Sequence, residues 1–449
     1  MASLCSLVHD TALELMLFLR RADLEDHAGN FAVAVRLAGR AWVLARSGGN
    51  LKTEVDALRT LAWVLTRSGR NRRARAVYGV ALRKADRLEA PVRAAILSEA
   101  ALVQIKVGDY PAADRDISRA KRLLPVDHKI QEYPYLCIAE AFVQRRRGDI
   151  KSAQRNLDEA RRFFKERGDY LNSERAGFQL STLSALGGDL GGALCGLRRA
   201  MNAARRAGYL RLLAACQNEI AYGIARQIGD LRWAWGASQS AIALSEPFGN
   251  EHVAAIYMDS QVQLLIDEGR LEEAMRLVTT VLDTLQPALS STSQYFESLA
   301  RRGVIWLGMG DYLKAVEDLE VARDAQARMD DLLALVDTLT YLALAYHRAG
   351  SLNSAVDISA QAVRVLEQIG CANHQPQRVF WNHYLIARAS SSEDASVSLR
   401  RAVELLESQA STLSSAQQSR FRSRVQLNQQ ILDEWCRAGT RPRFPDAPV

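Results

Sequence analysis

The feature that most constrains this chain is a short pattern that recurs at nearly fixed spacing. Gly-x4-Ala-x6-Ala, usually with Asp, Asn or Arg after the glycine, begins at Gly29, Gly69, Gly108, Gly148, Gly188, Gly229, Gly269, Gly310 and Gly350. Successive glycines lie 39 to 41 residues apart. A period of this length is the mark of a one-dimensional array, in which each unit packs only on its neighbours and the core grows along one axis. A chain of 449 residues therefore need not divide into separate globular domains.

The residues around each glycine predict two helices and a turn. Before Gly310, apolar positions at Tyr295, Phe296, Leu299, Ala300, Val304 and Leu307 follow the three-and-four spacing of a helix face. Glycine stops that helix because it adopts the left-handed conformation without a Cβ penalty. The following Asp311 caps the next helix by accepting backbone N–H bonds. Ala315 and Ala322 are two turns apart and share a face, so their methyls let neighbouring helices approach closely. A larger side chain there costs about 1–3 kcal/mol in overpacking. The second alanine is replaced once, by Val281. A tenth unit lacks its glycine: Ser390 stands forty residues after Gly350, with Ala395 and Ala402 in the alanine positions.

On these residues the chain resembles the tetratricopeptide repeat family. The likeness rests on the turn glycine, the apolar residue two later (Phe31, Tyr110, Leu271, Tyr312) and the two alanines. Trp306 and Tyr346 four before the glycine, and Leu157, Leu197 and Leu319 nine after it, complete it. Family repeats are typically 34 residues long; the period near 40 is similar to the longer arrays of kinesin light chains and of maltose-regulator-like activator sensors. The resemblance implies an all-α, right-handed superhelical solenoid of about ten antiparallel helix pairs over residues 1–413. A single capping helix is expected over 414–436, with a disordered, proline-containing tail over 437–449.

Composition narrows the function classes. Net charge is +7, and Arg is spread through the units with Asp or Glu nearby, which disfavours a concentrated nucleic-acid-binding face. Six cysteines are scattered without a paired motif, as expected for free thiols in a reducing, cytoplasmic setting. No apolar run is long enough for a membrane span, and the first residues lack a signal-peptide pattern. No catalytic signature stands out. Gly187-Gly188-Asp189-Leu190-Gly191-Gly192 has neither the preceding strand nor the Gly-Lys-Ser/Thr of a phosphate loop. Cys371, His374 and His383 offer three metal-type ligands and no obvious fourth. No cofactor, no metal and no catalytic residue is expected.

The family resemblance implies that the first helix of each pair lines a concave groove. Counting 13, 10, 6, 3 and 2 residues back from each turn selects the candidates. Unit two gives Arg59, Trp63 and Arg67, and unit four gives Tyr135, Phe142, Arg145 and Arg146. Units five and six give Arg175, Phe178 and Arg226. Unit seven gives Asp259, Gln263 and Asp267, unit nine His347 and Arg348, and the last unit Phe380 and Tyr384. Arginine beside aromatics suits a peptide with acidic and apolar anchors, since Arg pairs carboxylates in bidentate fashion. The leading expectation is a non-catalytic scaffold that binds a protein or peptide partner. The alternatives are a regulatory sensor acting in trans and, less favoured, nucleic-acid binding through the arginines.

Overall fold

A computed structural model describes residues 11–124, 133–248, 251–290, 292–392 and 395–438. Twenty-two α-helices follow one another, with no strand among the described residues. Twenty of them form ten antiparallel pairs, and the array is a TPR-like helical solenoid. The tail expected over 437–449 falls, beyond Ala438, outside the described residues.

Each unit is built as its residues dictate. Gly310 sits in the left-handed region at φ 86°. It ends the Ser293–Met309 helix, and its N–H reaches the carbonyls of Trp306 and Leu307. Asp109, Asp149, Asp189, Asp230 and Asp311 each cap the following helix, their carboxylates accepting a backbone N–H three residues on. The repeated alanines are sealed: Ala34, Ala153, Ala315 and Ala355 have no exposed surface, nor do Ala41, Ala160 and Ala322. In the tenth unit Ser391 takes the position of the missing glycine at φ 56°, and Ala402 is fully buried.

One departure from the period has a local solution. The spacing from Gly188 to Gly229 is 41, one more than its neighbours, and the extra residue falls in the first helix of the sixth unit. The Leu210–Glu219 helix continues as a π-helical turn over Ile220–Ala225. A π turn accommodates an inserted residue by widening one turn of helix without ending it.

The pairs coil until each unit meets one four or five units further along. The Arg67 guanidinium donates to the Tyr209 hydroxyl at 3.0 Å, and Arg211 donates to the Arg67 carbonyl at 2.9 Å. Arg146 reaches across to Ser293, Glu297 and Asp331 at 2.7, 2.9 and 2.6 Å. Gly148, at φ 76°, packs so closely on Ile369 that a Cβ there would lie 2.2 Å from its methyl. A seam therefore joins two superhelical turns and turns the groove into a channel.

The expected single C-terminal helix is two. Ser415–Arg424 and Gln426–Arg437 meet at Val425, which is extended at φ −83°, ψ 108°. The break is held by buried Asn428, whose amide donates to the Phe421 carbonyl at 2.9 Å and accepts from Gln377 at 3.1 Å. Bending there lets Phe421, Leu427 and Ile431 all enter the core. The pair also crosses the seam, where Arg420 binds Asp230 at 2.8 Å.

Candidate functional site

Two cavities open on the inner face, and the helices that build them are shared. The Tyr133–Arg146 helix, the Tyr170–Leu186 helix and the segment 210–225 each contribute to both. On the first of these, Tyr135, Ile138 and Phe142 line one cavity, while Arg145 and Arg146 line the other. Three residues separate Phe142 from Arg145, less than one helical turn. Larger depressions lie off this face, one beside residues 125–132 that fall outside the described set.

The central cavity, about 250 Å³, is polar and carries both signs of charge. Arg145, Arg146 and Arg301 face Glu297 and Asp337, and four carboxamides, Gln263, Gln294, Gln326 and Asn373, share its wall. Arg146 is consumed by the seam. Burial opposes its charge, but Asp331, Tyr110 and Glu297 outweigh that and hold its pKa well above the ordinary value. Arg145 differs: its guanidinium makes no hydrogen bond or ion pair among the described residues, and burial together with repulsion from Arg146 lowers its pKa. Tyr222, on the π turn, lies between two guanidinium groups, Arg226 at 4.7 Å and Arg301 at 5.5 Å from its ring centre. His374 meets that ring edge-on at 5.1 Å. Burial, then Arg226, Arg145 and Arg301, push its pKa down to about 3, so it is a neutral imidazole.

Several polar atoms in this wall are unpaired. Gln326 has no exposed surface, and neither its amide nitrogen nor its oxygen has a partner among the described residues. His374 Nδ1 is likewise buried without a hydrogen bond among the described residues. A buried unpaired polar atom costs about 1–3 kcal/mol, so such atoms concentrated at a cavity point to a ligand that pairs them.

The second cavity, about 190 Å³, is aromatic. Trp63, Tyr135, Phe142, Phe164, Phe178 and Tyr209 line it, with Arg175 and Arg211 as its only charged members. Trp63 and Phe164 both pack edge-on against Tyr135, at 6.2 and 5.8 Å.

The structure thus divides the seventeen residues selected by counting. Trp63, Tyr135, Phe142, Arg175 and Phe178 meet in the aromatic cavity; Arg145, Arg146 and Gln263 meet in the central one. Arg226 and Asp267 pair with each other at 3.0 Å, and Asp259 is buried against Arg301 and Gln294. Arg59 binds Glu99 at 2.6 Å, and Arg67 binds Asp26 at 2.9 Å in the seam. His347 and Arg348 line neither cavity. Phe380 and Tyr384 are corrections: both are buried in the core beneath the C-terminal helices, and the Tyr384 hydroxyl donates to Glu434 at 2.6 Å. The second C-terminal helix, which begins after the bend at Val425, bonds their helix at Gln377 through Asn428 and at Tyr384 through Glu434.

Counting missed Tyr222, Gln294, Arg301, Gln326, Asn373 and His374. Tyr222 stands seven before its glycine instead of six, because the π turn that contains it absorbs one extra residue. Gln326 lies on a second helix, and Asn373 and His374 lie just before the Pro376–Ala389 helix, where no groove rule looks.

No family model matches the sequence, and no curated protein matches it. Solved structures do match. A Rap protein in complex with Competence and Sporulation Factor is 14% identical, with a TM-score of 0.63, covering 80% of this chain and 99% of its own. NprR in complex with its cognate peptide NprX is 14% identical at a TM-score of 0.48, covering 75% and 97%. A signal transduction ATPase of Pyrococcus horikoshii with a tetratricopeptide repeat sensor is 13% identical at 0.42, covering 81% and 54%. The fold, a TPR-like helical array, is what the chain shares with the Rap protein.

Proposed function

We propose that the protein is a non-catalytic recognition array that holds an extended peptide segment in its central channel. The observation that carries this reading is Gln326, fully buried in the cavity wall with both polar atoms unpaired. A carboxamide offers one donor edge and one acceptor, the same pair that a peptide unit offers in return. Gln294 and Gln263 also stand in the wall: each donates its amide to a carboxylate, Asp259 at 2.9 Å and Asp267 at 3.0 Å, and its carbonyl oxygen accepts no hydrogen bond among the described residues. Between Tyr135 and Arg145 the helix rises about 15 Å. That length matches about five residues of extended chain. The likeness to a Rap protein solved with Competence and Sporulation Factor supports binding of a partner molecule as the role of such an array.

Affinity selection of a pooled heptapeptide library on the full chain tests this, with mass-spectrometric identification of what is retained. We expect retained peptides whose recovery falls at least tenfold with Arg145→Gln or Gln294→Leu. Retention no better than on an unrelated helical protein, or indifference to both variants, would overturn the reading.

One observation favours a regulatory sensor over a passive scaffold: the central cavity takes its wall from both superhelical turns, Arg145 from one and Gln294 and Asn373 from the other. A segment bound there bridges the turns and changes their spacing. Small-angle scattering with and without a retained peptide measures this, and superimposable curves would leave the scaffold role. The described cysteines are free thiols, in keeping with our placing the protein in a reducing, cytoplasmic compartment. No helix among the described residues is long and apolar enough to cross a membrane.

A further inference from the structure

Along the sequence the arginines look evenly spread, but the two layers of the array sort them. The second helices turn away from the channel: among the described residues they add just Phe164 and Gln326 to the linings of the two cavities. In units one to five these second helices, from Phe31–Ser47 to Leu190–Arg206, carry 21 Lys and Arg against 5 Asp and Glu. The first helices of the same units carry 10 against 9, and the second helices of units six to ten carry 8 against 11. Five of the 21 cations pair with carboxylates, and the rest make no ion pair among the described residues.

The repeat sets these free cations in register. Arg83, Arg122 and Arg162 stand fourteen residues after the turn glycines of units two, three and four, and Arg115 and Arg155 stand seven after theirs. Seven residues are two turns of helix, so both positions share a face. That face lies about 200° round the helix from the buried alanine positions, five and twelve after the glycine. All five side chains are exposed, and among the described residues their sole bond is from Arg155 to Ser152 of its own helix, at 2.9 Å. Neighbouring units repeat the same packing, so equal positions on successive second helices form a row along the array. In the later units the fourteenth position becomes Asp283, Asp324 and Glu404, with Arg364 in unit nine. Aligned like charges repel one another, and the folded array carries that repulsion until an anion relieves it.

We propose that the outer face of units one to five is a docking surface for duplex nucleic acid, with the rows of arginine lying along its phosphate backbone. Arginine holds phosphate through paired, charge-assisted N–H bonds. What the face lacks separates a duplex from other anionic partners. Of the exposed large apolar side chains, Val43 alone lies on these five helices. The face therefore offers neither the apolar core of a protein interface nor the side chains that enter a bilayer. Its aromatic rings are all at least partly covered, so none is presented for stacking on the bases of a single strand. A duplex asks for regularly spaced cations, and contacts to its backbone position it without reading its sequence.

The test is fluorescence anisotropy of the full chain with a mixed-sequence duplex of about 24 base pairs, between about 50 and 150 mM KCl. Five phosphate contacts give a slope of log affinity against log salt of about −4.5. Arg83→Gln, Arg122→Gln and Arg162→Gln together should bring the slope to about −2 and weaken binding at least tenfold at the lowest salt. The melting temperature should be no lower, since none of the three has a partner to lose. The control is Arg276→Gln, Arg328→Gln and Arg364→Gln, three exposed arginines on the second helices of units seven to nine. It removes the same charge and should leave affinity and slope unchanged. Equal weakening by both triples would trace the attraction to net charge and overturn the surface. So would no duplex bound at the lowest salt, or tighter binding to a single strand of the same length, to phosphatidylserine vesicles or to polyglutamate. Retention of library peptides in the channel should be indifferent to both triples, so the two readings stand or fall separately.

Discussion

The central and aromatic cavities are built from the same three first-helix segments, yet they present opposite chemistries. The central one mixes both charges with four carboxamides and leaves buried polar atoms unpaired; the aromatic one gathers rings and only cations. The difference comes from what closes each space. The central cavity is completed by units seven to ten, reaching it across the seam, and their carboxylates Glu297 and Asp337 bring the negative charge. The aromatic cavity is completed within units two to six, which supply its rings, aliphatic side chains and two arginines and no carboxylate to its lining. In a solenoid, then, a unit's inward residues set half of a site, and the coil decides which half it meets.

The largest effect should come from cutting the seam. Arg146→Ala strands Asp331, which is fully buried, and Glu297, and breaking a buried pair in this way costs about 3–5 kcal/mol. Denaturation should show that loss, and an unchanged midpoint would mean that the seam contributes nothing to holding the two superhelical turns together. A smaller loss, about 2 kcal/mol, is expected for Gly148→Ala, where left-handed strain adds to the clash with Ile369. The control is Gly350→Ala, with the same strain at φ 85° but open space, and it should lose about half as much.

The smallest effect belongs to the central wall: Gln326→Leu removes two unpaired buried atoms and should raise stability by about 1 kcal/mol while weakening peptide retention. A loss of stability would show that the carboxamide serves the fold instead of a ligand.

How much of this was legible in the sequence varies by residue. Trp63, Tyr135, Phe142, Arg175 and Phe178 emerge together because helical periodicity fixes which residues of a first helix face inward. The same count applied to the third unit reaches Leu102 and Lys106. Tyr222 escapes it because one inserted residue, absorbed as a π turn, moves the register by about 100°. Arg146 and Arg145 look interchangeable in sequence, yet one is spent on the seam and the other is unpaired.

By itself the sequence determined the unit: a glycine that must turn, alanines that must pack, and an aspartate that caps. Those are local requirements, set within a few residues by backbone sterics and helix geometry. The tertiary structure alone decided the pitch of the coil, and with it that Arg146 meets Asp331, that the C-terminal helices bury Phe380 and Tyr384, and that one channel holds two unlike cavities. These contacts join residues more than a hundred positions apart in most cases, and no local period carries information across that distance.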